Sequence, residues 1–117
     1  MAAMAAKTTW FGEAQAMATY MFHAMDRAGM GERRGELREA HRAHIRRADP
    51  NCRCVLGGPL RREDGKAMIG TLLIFEADDA ASVQAFMAAD PYCLAEIFES
   101  ISILPWSIGL GVIEASP

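Results

Sequence analysis

Two histidines and one aspartate are the residues of this chain best placed to move protons. His41 and His44 lie in the run ERRGELREAHRAHIRRAD, and Asp90 lies far downstream in the run DPY. A histidine on an apolar stripe must find a hydrogen-bond partner or stay neutral at a cost. An aspartate on another apolar stripe has the same problem with the opposite charge. If the two meet, they form an acid–base pair in a water-poor site, the arrangement that general acid–base catalysis needs.

The elements that must position them follow from spacing. Leu37, Ala40, His41, His44, Ile45 and Ala48 recur at three- and four-residue steps, which predicts a helix from Glu32 to Ala48 with these residues on one face. Asp49-Pro50-Asn51 stops it. Val83, Phe86, Met87 and Asp90 repeat the same steps, so a second helix opens at the capping pair Asp78-Asp79 and closes at Pro91. A short third helix is expected from Pro91 to Phe98.

Strands are expected at Thr19–Asp26, Cys52–Leu60, Met68–Ala77 and Glu99–Ser107, with Asp64-Gly65 as a hairpin turn. The order strand, helix, strand, strand, helix, strand predicts an α+β, ferredoxin-like βαββαβ fold. It places both helices on one face of a four-stranded antiparallel sheet. In MIGTLLIFEA, Met68, Leu72 and Ile74 fall on one side and Ile69, Leu73 and Phe75 on the other. A sheet apolar on both faces with one helical layer wants a second sheet, and another copy of the chain is the expected donor, which implies a homodimer. Residues 1–17 read as an N-terminal extension and 18–117 as the domain.

Composition narrows the class. With 117 residues, 51% hydrophobic and 23% charged, the chain suits one globular domain. It shows neither a membrane-length apolar run nor a secretory leader pattern, so a cytoplasmic setting without membrane contact is the expectation. Net charge is −3, yet eleven of the twelve Lys and Arg residues fall between Arg27 and Lys66. Glu32, Glu36, Glu39 and Asp49 interrupt that run and no aromatics accompany it. A solvated helix face therefore explains it better than nucleic-acid binding, although some arginines could steer an anionic ligand.

Other candidates have plain structural readings. His44 suits packing or a rim contact, and His23 a core or interface position. Cys52, Cys54 and Cys93 read as reduced thiols rather than a disulfide set. His41, His44 and Asp90 could supply three metal ligands, but nothing completes that set, and no metal or organic cofactor is expected. Tyr92 and Trp106 are candidate pocket walls.

The segments LREAHRAHI, LGGPL, IGTLLIFEA, AFMAADPY and IFESISILPW, in this order and spacing from Thr19 to Trp106, resemble the YCII-related family. The resemblance implies a dimeric α+β barrel in which two ferredoxin-like sheets pack face to face. It implies His41, in the R-x-x-H run after Arg38, and Asp90 of DPY as the active-site pair. The implied chemistry is that of a lyase or isomerase: elimination, such as dehydrochlorination, or lactone-type isomerisation. Two positions depart from the family pattern: Glu39 replaces a proline, and Thr71 stands where a serine is usual. Thr71 keeps the hydroxyl but has fewer rotamers, which implies a pocket shaped for another substrate.

The expectation is thus a small-molecule enzyme in which His41 is the base and Asp90 orients it. Arg38 would hold an anionic oxygen, Thr71 would bond substrate or His41, and Tyr92 would line the site. A non-catalytic metabolite-binding dimer and a cofactor-free oxygenase of the same barrel are the alternatives.

Overall fold

The computed structural model describes residues 17–113. The chain runs β1 (Ala18–Asp26), α1 (Gly31–Ile45), β2 (Ala48–Asp49), β3 (Cys52–Arg61), β4 (Met68–Ala77), α2 (Ala80–Ala88), α3 (Pro91–Leu94) and β5 (Phe98–Pro105). This is the α+β, βαββαβ ferredoxin-like fold with one small addition. The sheet has five strands in the order β2-β3-β4-β1-β5, with every pair antiparallel. The expected four-stranded sheet is its β3-β4-β1-β5 body. The extension expected at the N-terminus lies, up to residue 16, outside the described residues.

The fifth strand explains why α1 is shorter than its apolar stripe. Asp49 precedes Pro50, and a residue before proline is driven out of the helical region. Ala48 and Asp49 therefore run extended and pair with Arg53 and Cys52. The stripe ends at Ile45, and Ala48 belongs to the sheet.

The second half of the molecule is shaped by caps. Asp79 caps α2 by accepting from the Ser82 backbone N–H at 2.8 Å. Asp90 caps α3, with Pro91 at the first helical position. That helix stops at Leu94 rather than Phe98 because Glu96 adopts a left-handed φ of 56°. The Ile97 N–H then reaches back to the Tyr92 carbonyl at 3.1 Å, and the Glu96 N–H to that of Cys93 at 3.0 Å. These two bonds are a Schellman closure. It turns the chain sharply and drops Ile97, fully buried, into the core.

Strand register sorts the side chains. Tyr20, Phe22 and Ala24 face the helices together with Phe75, Leu73 and Thr71, their partners on β4. Phe22, Phe75, Val83, Met87, Tyr92 and Ile97 are the centre of the core. On the opposite face, Leu56, Ile74, Met21 and Leu104 form a row across all four long strands. Leu56 and Leu104 in that row are 58% and 55% exposed. His23 sits half-buried on this open face, opposite Leu72 and Ser102.

Candidate active site

Asp90 is fully buried, at 0% exposure, where α2 gives way to α3. Its two oxygens do different work. Oδ2 accepts from the Tyr92 backbone N–H at 3.0 Å, which is the cap of α3. Oδ1 lies 2.8 Å from His41 Nδ1. A carboxylate oxygen accepts, so Nδ1 is the donor in this bond, and in a neutral ring the lone pair then lies on Nε2. The expected contact between two distant segments is therefore present. It forms because α1 packs directly on α3, bringing the middle of one helix over the cap of the other.

The ring is also held on its face. His41 stacks on Tyr92 with centroids 4.0 Å apart and planes 11° apart. Tyr92 is itself buried and meets Phe98 edge-on at 6.1 Å. Burial pushes its phenol above the ordinary tyrosine value, an effect that the Arg34 and Arg38 charges partly offset. Tyr92 thus stays a neutral platform and fixes the plane of the His41 ring.

His41 lines a cleft of about 680 Å³ between α1 and the β3–β4 part of the sheet. Arg38, Thr71 and Tyr92 line it too, so the cleft gathers the expected substrate-contacting residues around His41. Asp90 stands behind His41. The β3 wall carries a bulge at Val55 followed by Gly57, where an added Cβ would run into the Leu73 side chain. A bare backbone there lets Leu73 pack against β3. Trp106 is not part of the lining and lies half-buried beyond β5.

The sequence reading missed Arg34. Treated there as one of the arginines on a solvated helix face, it is only 3% exposed. Its Nε and Nη2 donate to Asp26 at 2.9 and 3.3 Å. Nη2 also donates to the Gly70 carbonyl at 2.9 Å and to Thr71 Oγ1 at 2.5 Å. Its guanidinium carbon lies 4.7 Å from the Tyr92 ring centroid. The available signal was spacing: Arg34 precedes His41 by seven residues, two helical turns, and so shares its stripe. Thr71 is correspondingly bonded to Arg34, and among the described residues it makes no bond to His41.

His44 has the plain role. Its Nε2 donates to the Phe86 carbonyl at 2.7 Å and its ring lies 4.5 Å from that of Phe86, which ties α1 to α2. Among the described residues no cluster of three or more His, Cys, Asp or Glu side chains converges as a metal site, so the His41, His44, Asp90 set is not assembled. Cys54 lines the cleft, but burial pushes its thiol up to about 11, which leaves it a poor nucleophile near neutral pH. No helix among the described residues is long and apolar enough to cross a membrane.

A family model described as the YCII-related domain matches residues 18–107. The protein YciI of Escherichia coli O6:H1 is 29% identical over 92 residues, which is 74% of this chain and 94% of YciI. YciI of Shigella flexneri matches to the same extent. Among solved structures, 5-chloro-2-hydroxyhydroquinone dehydrochlorinase (TftG) from Burkholderia phenoliruptrix AC1100, in complex with 2,5-dihydroxybenzoquinone, is similar at a TM-score of 0.68 and 27% identity. That match covers 78% of this chain and 95% of the dehydrochlorinase.

Proposed function

This chain belongs to the YCII-related domain family, and from that membership and the geometry of its cleft we propose a cofactor-independent lyase or isomerase that works by general acid–base catalysis. The observation that carries the reading is the 2.8 Å bond between His41 Nδ1 and Asp90 Oδ1, with His41 lining an open cleft. Nε2 of His41 takes a proton from the substrate. Asp90 holds the ring tautomer and balances the charge the imidazole acquires. In an elimination, the electron pair left by the proton drives out the leaving group, chloride in the dehydrochlorination that the similar solved structure catalyses. In an isomerisation, His41 returns the proton to another carbon. Arg38, one turn before His41, holds an anionic oxygen of the substrate. Thr71 and Tyr92 shape the pocket around it. Proton transfer of this kind contributes about 10²–10⁴-fold in rate.

The test is turnover of 5-chloro-2-hydroxyhydroquinone and a panel of small lactones by wild type and His41→Ala. Chloride release or lactone rearrangement should occur with wild type and fall by about 10²-fold or more in the variant. Equal rates in the two proteins would remove His41 from the chemistry. Binding without turnover by wild type across the panel would leave a metabolite-binding module instead.

The working form is proposed to be a two-fold homodimer through the sheet face opposite the helices. The apolar row of Leu56, Ile74, Met21 and Leu104, exposed at its two ends, supports this. A stable interface of this kind buries about 800 Å² on each partner. Sedimentation at about 10 µM should show the dimer, an association of ordinary micromolar-or-tighter affinity. Leu104→Glu should convert it to monomer, because the charge enters the apolar face. A monomer in the wild type would refute the face-to-face arrangement.

A further inference from the structure

Arg34, Arg38, Arg42 and Arg46 succeed one another at four-residue steps along α1 and its C-terminal cap, and all four line the cleft. That spacing puts them on one inclined ridge of the helix. At about 1.5 Å of rise per residue, the row runs about 18 Å along the cleft. No Asp or Glu among the described residues lines the cleft. The α1 wall beside His41 therefore carries arginines and no carboxylate among its lining residues.

The four are not equivalent. Arg34 is fully engaged with Asp26, Gly70 and Thr71. Arg42 approaches Glu39 at 3.6 Å in a solvent-exposed pair, which holds it weakly. Among the described residues Arg38 and Arg46 make no ion pair. Arg38 is half-buried, and its one polar contact is Met68 Sδ at 3.8 Å, a weak acceptor. A cation drawn partly out of water without a counter-charge is unfavourable, and a bound anion removes that penalty.

We propose that the cleft takes a small organic carboxylate, gripped by Arg38 and drawn in past Arg42 and Arg46, with the carbon that loses its proton presented to His41. This rests on the acid–base reading above and supplies its substrate class. The planar guanidinium of Arg38 matches a carboxylate through two parallel bonds. Phosphate fits less well, because phosphate sites are commonly built on the free backbone N–H groups of a helix N-terminus, whereas Arg38 stands in the middle of α1. Arg38 and His41 stand three residues apart, with Cβ atoms separated by about 5–6 Å in a helix. The carboxylate and the acidic carbon are therefore separated by a few bonds.

Calorimetric titration of the full chain with benzoate, benzamide and phenyl phosphate tests this, using wild type, Arg38→Gln, Arg38→Lys and His41→Gln. Benzoate should bind wild type at least about tenfold more tightly than benzamide, a gap of about 1.4 kcal/mol. Arg38→Gln should bring benzoate down to the benzamide level, and Arg38→Lys should fall between. His41→Gln should keep benzoate binding, so the substrate class stands or falls separately from the base. Equal binding of benzoate and benzamide, indifference to Arg38→Gln, tighter binding of phenyl phosphate, or no benzoate binding at about 20 mM, a concentration that reveals even millimolar affinity, would each overturn the proposal.

Discussion

Asp90→Asn is expected to leave the fold standing and to remove nearly all turnover of any substrate that the wild type converts. Asparagine is as good a helix cap as aspartate, so its carbonyl oxygen can keep the bond from the Tyr92 N–H that starts α3. The amide NH₂ must then occupy the position of Oδ1, facing His41 Nδ1. It donates where the carboxylate accepted. The imidazole answers by moving its hydrogen to Nε2, which blocks the atom that should take the substrate proton. In serine proteases the equivalent change costs about 10⁴-fold in kcat. A loss of about 10³–10⁴-fold is expected here, with a melting temperature within a few degrees of wild type. Nitrogen chemical shifts of His41 should report the tautomer change without any substrate. Near-wild-type turnover, or an unchanged tautomer, would return Asp90 to a purely capping role.

Arg34→Met should show the largest effect on stability. The side chains of Arg34 and Asp26 are 4% and 6% exposed, and their two bonds are supported by those to Gly70 and Thr71. Methionine fills the space but strands the Asp26 carboxylate and the Gly70 carbonyl in a dry environment. Breaking a buried pair from one side costs about 3–5 kcal/mol. For a domain of this size that is a drop of more than about 12 °C in melting temperature. Replacing both partners, as Arg34→Met with Asp26→Leu, should recover most of the loss, because no charge is then left buried alone. Denaturant titration of the single and double variants reads the difference. A single variant within about 1 kcal/mol of wild type would mean that Asp26 finds water or another partner.

These two residues mark how far the chain could be read without its structure. Asp90 was legible because its position is specified locally. It ends one apolar stripe and stands before Pro91, so its capping role follows from a few neighbouring residues. His41 was legible for a similar reason, since three- and four-residue steps place it on the face that must pack. The sheet and the order of its strands followed from alternation and turn residues. Arg34 was not legible as a buried residue. Its neighbours Glu32, Arg33 and Glu36 form an ordinary charged surface run, and its partner Asp26 ends the strand β1. Nor could the short strand Ala48–Asp49 be seen, because an apolar stripe does not show where a following proline forces the backbone to extend.

The sequence by itself determined the periodic half of the site: which residues share a face of α1, that Arg38 stands one turn from His41, and that Asp90 begins a helix. Backbone geometry imposes those relations whatever the rest of the molecule does. Spacing left two histidines on one stripe and the family resemblance singled out His41; the tertiary structure supplies the physical reason, since Phe86 captures His44 while α3 receives His41. Tertiary structure alone decided that Arg34 lies beneath Tyr92 with Asp26, and that the row of arginines borders a cleft. Those outcomes depend on the angle and height at which α1 docks on the sheet and on α3. Many side chains set that docking jointly, so no local stretch of sequence contains it.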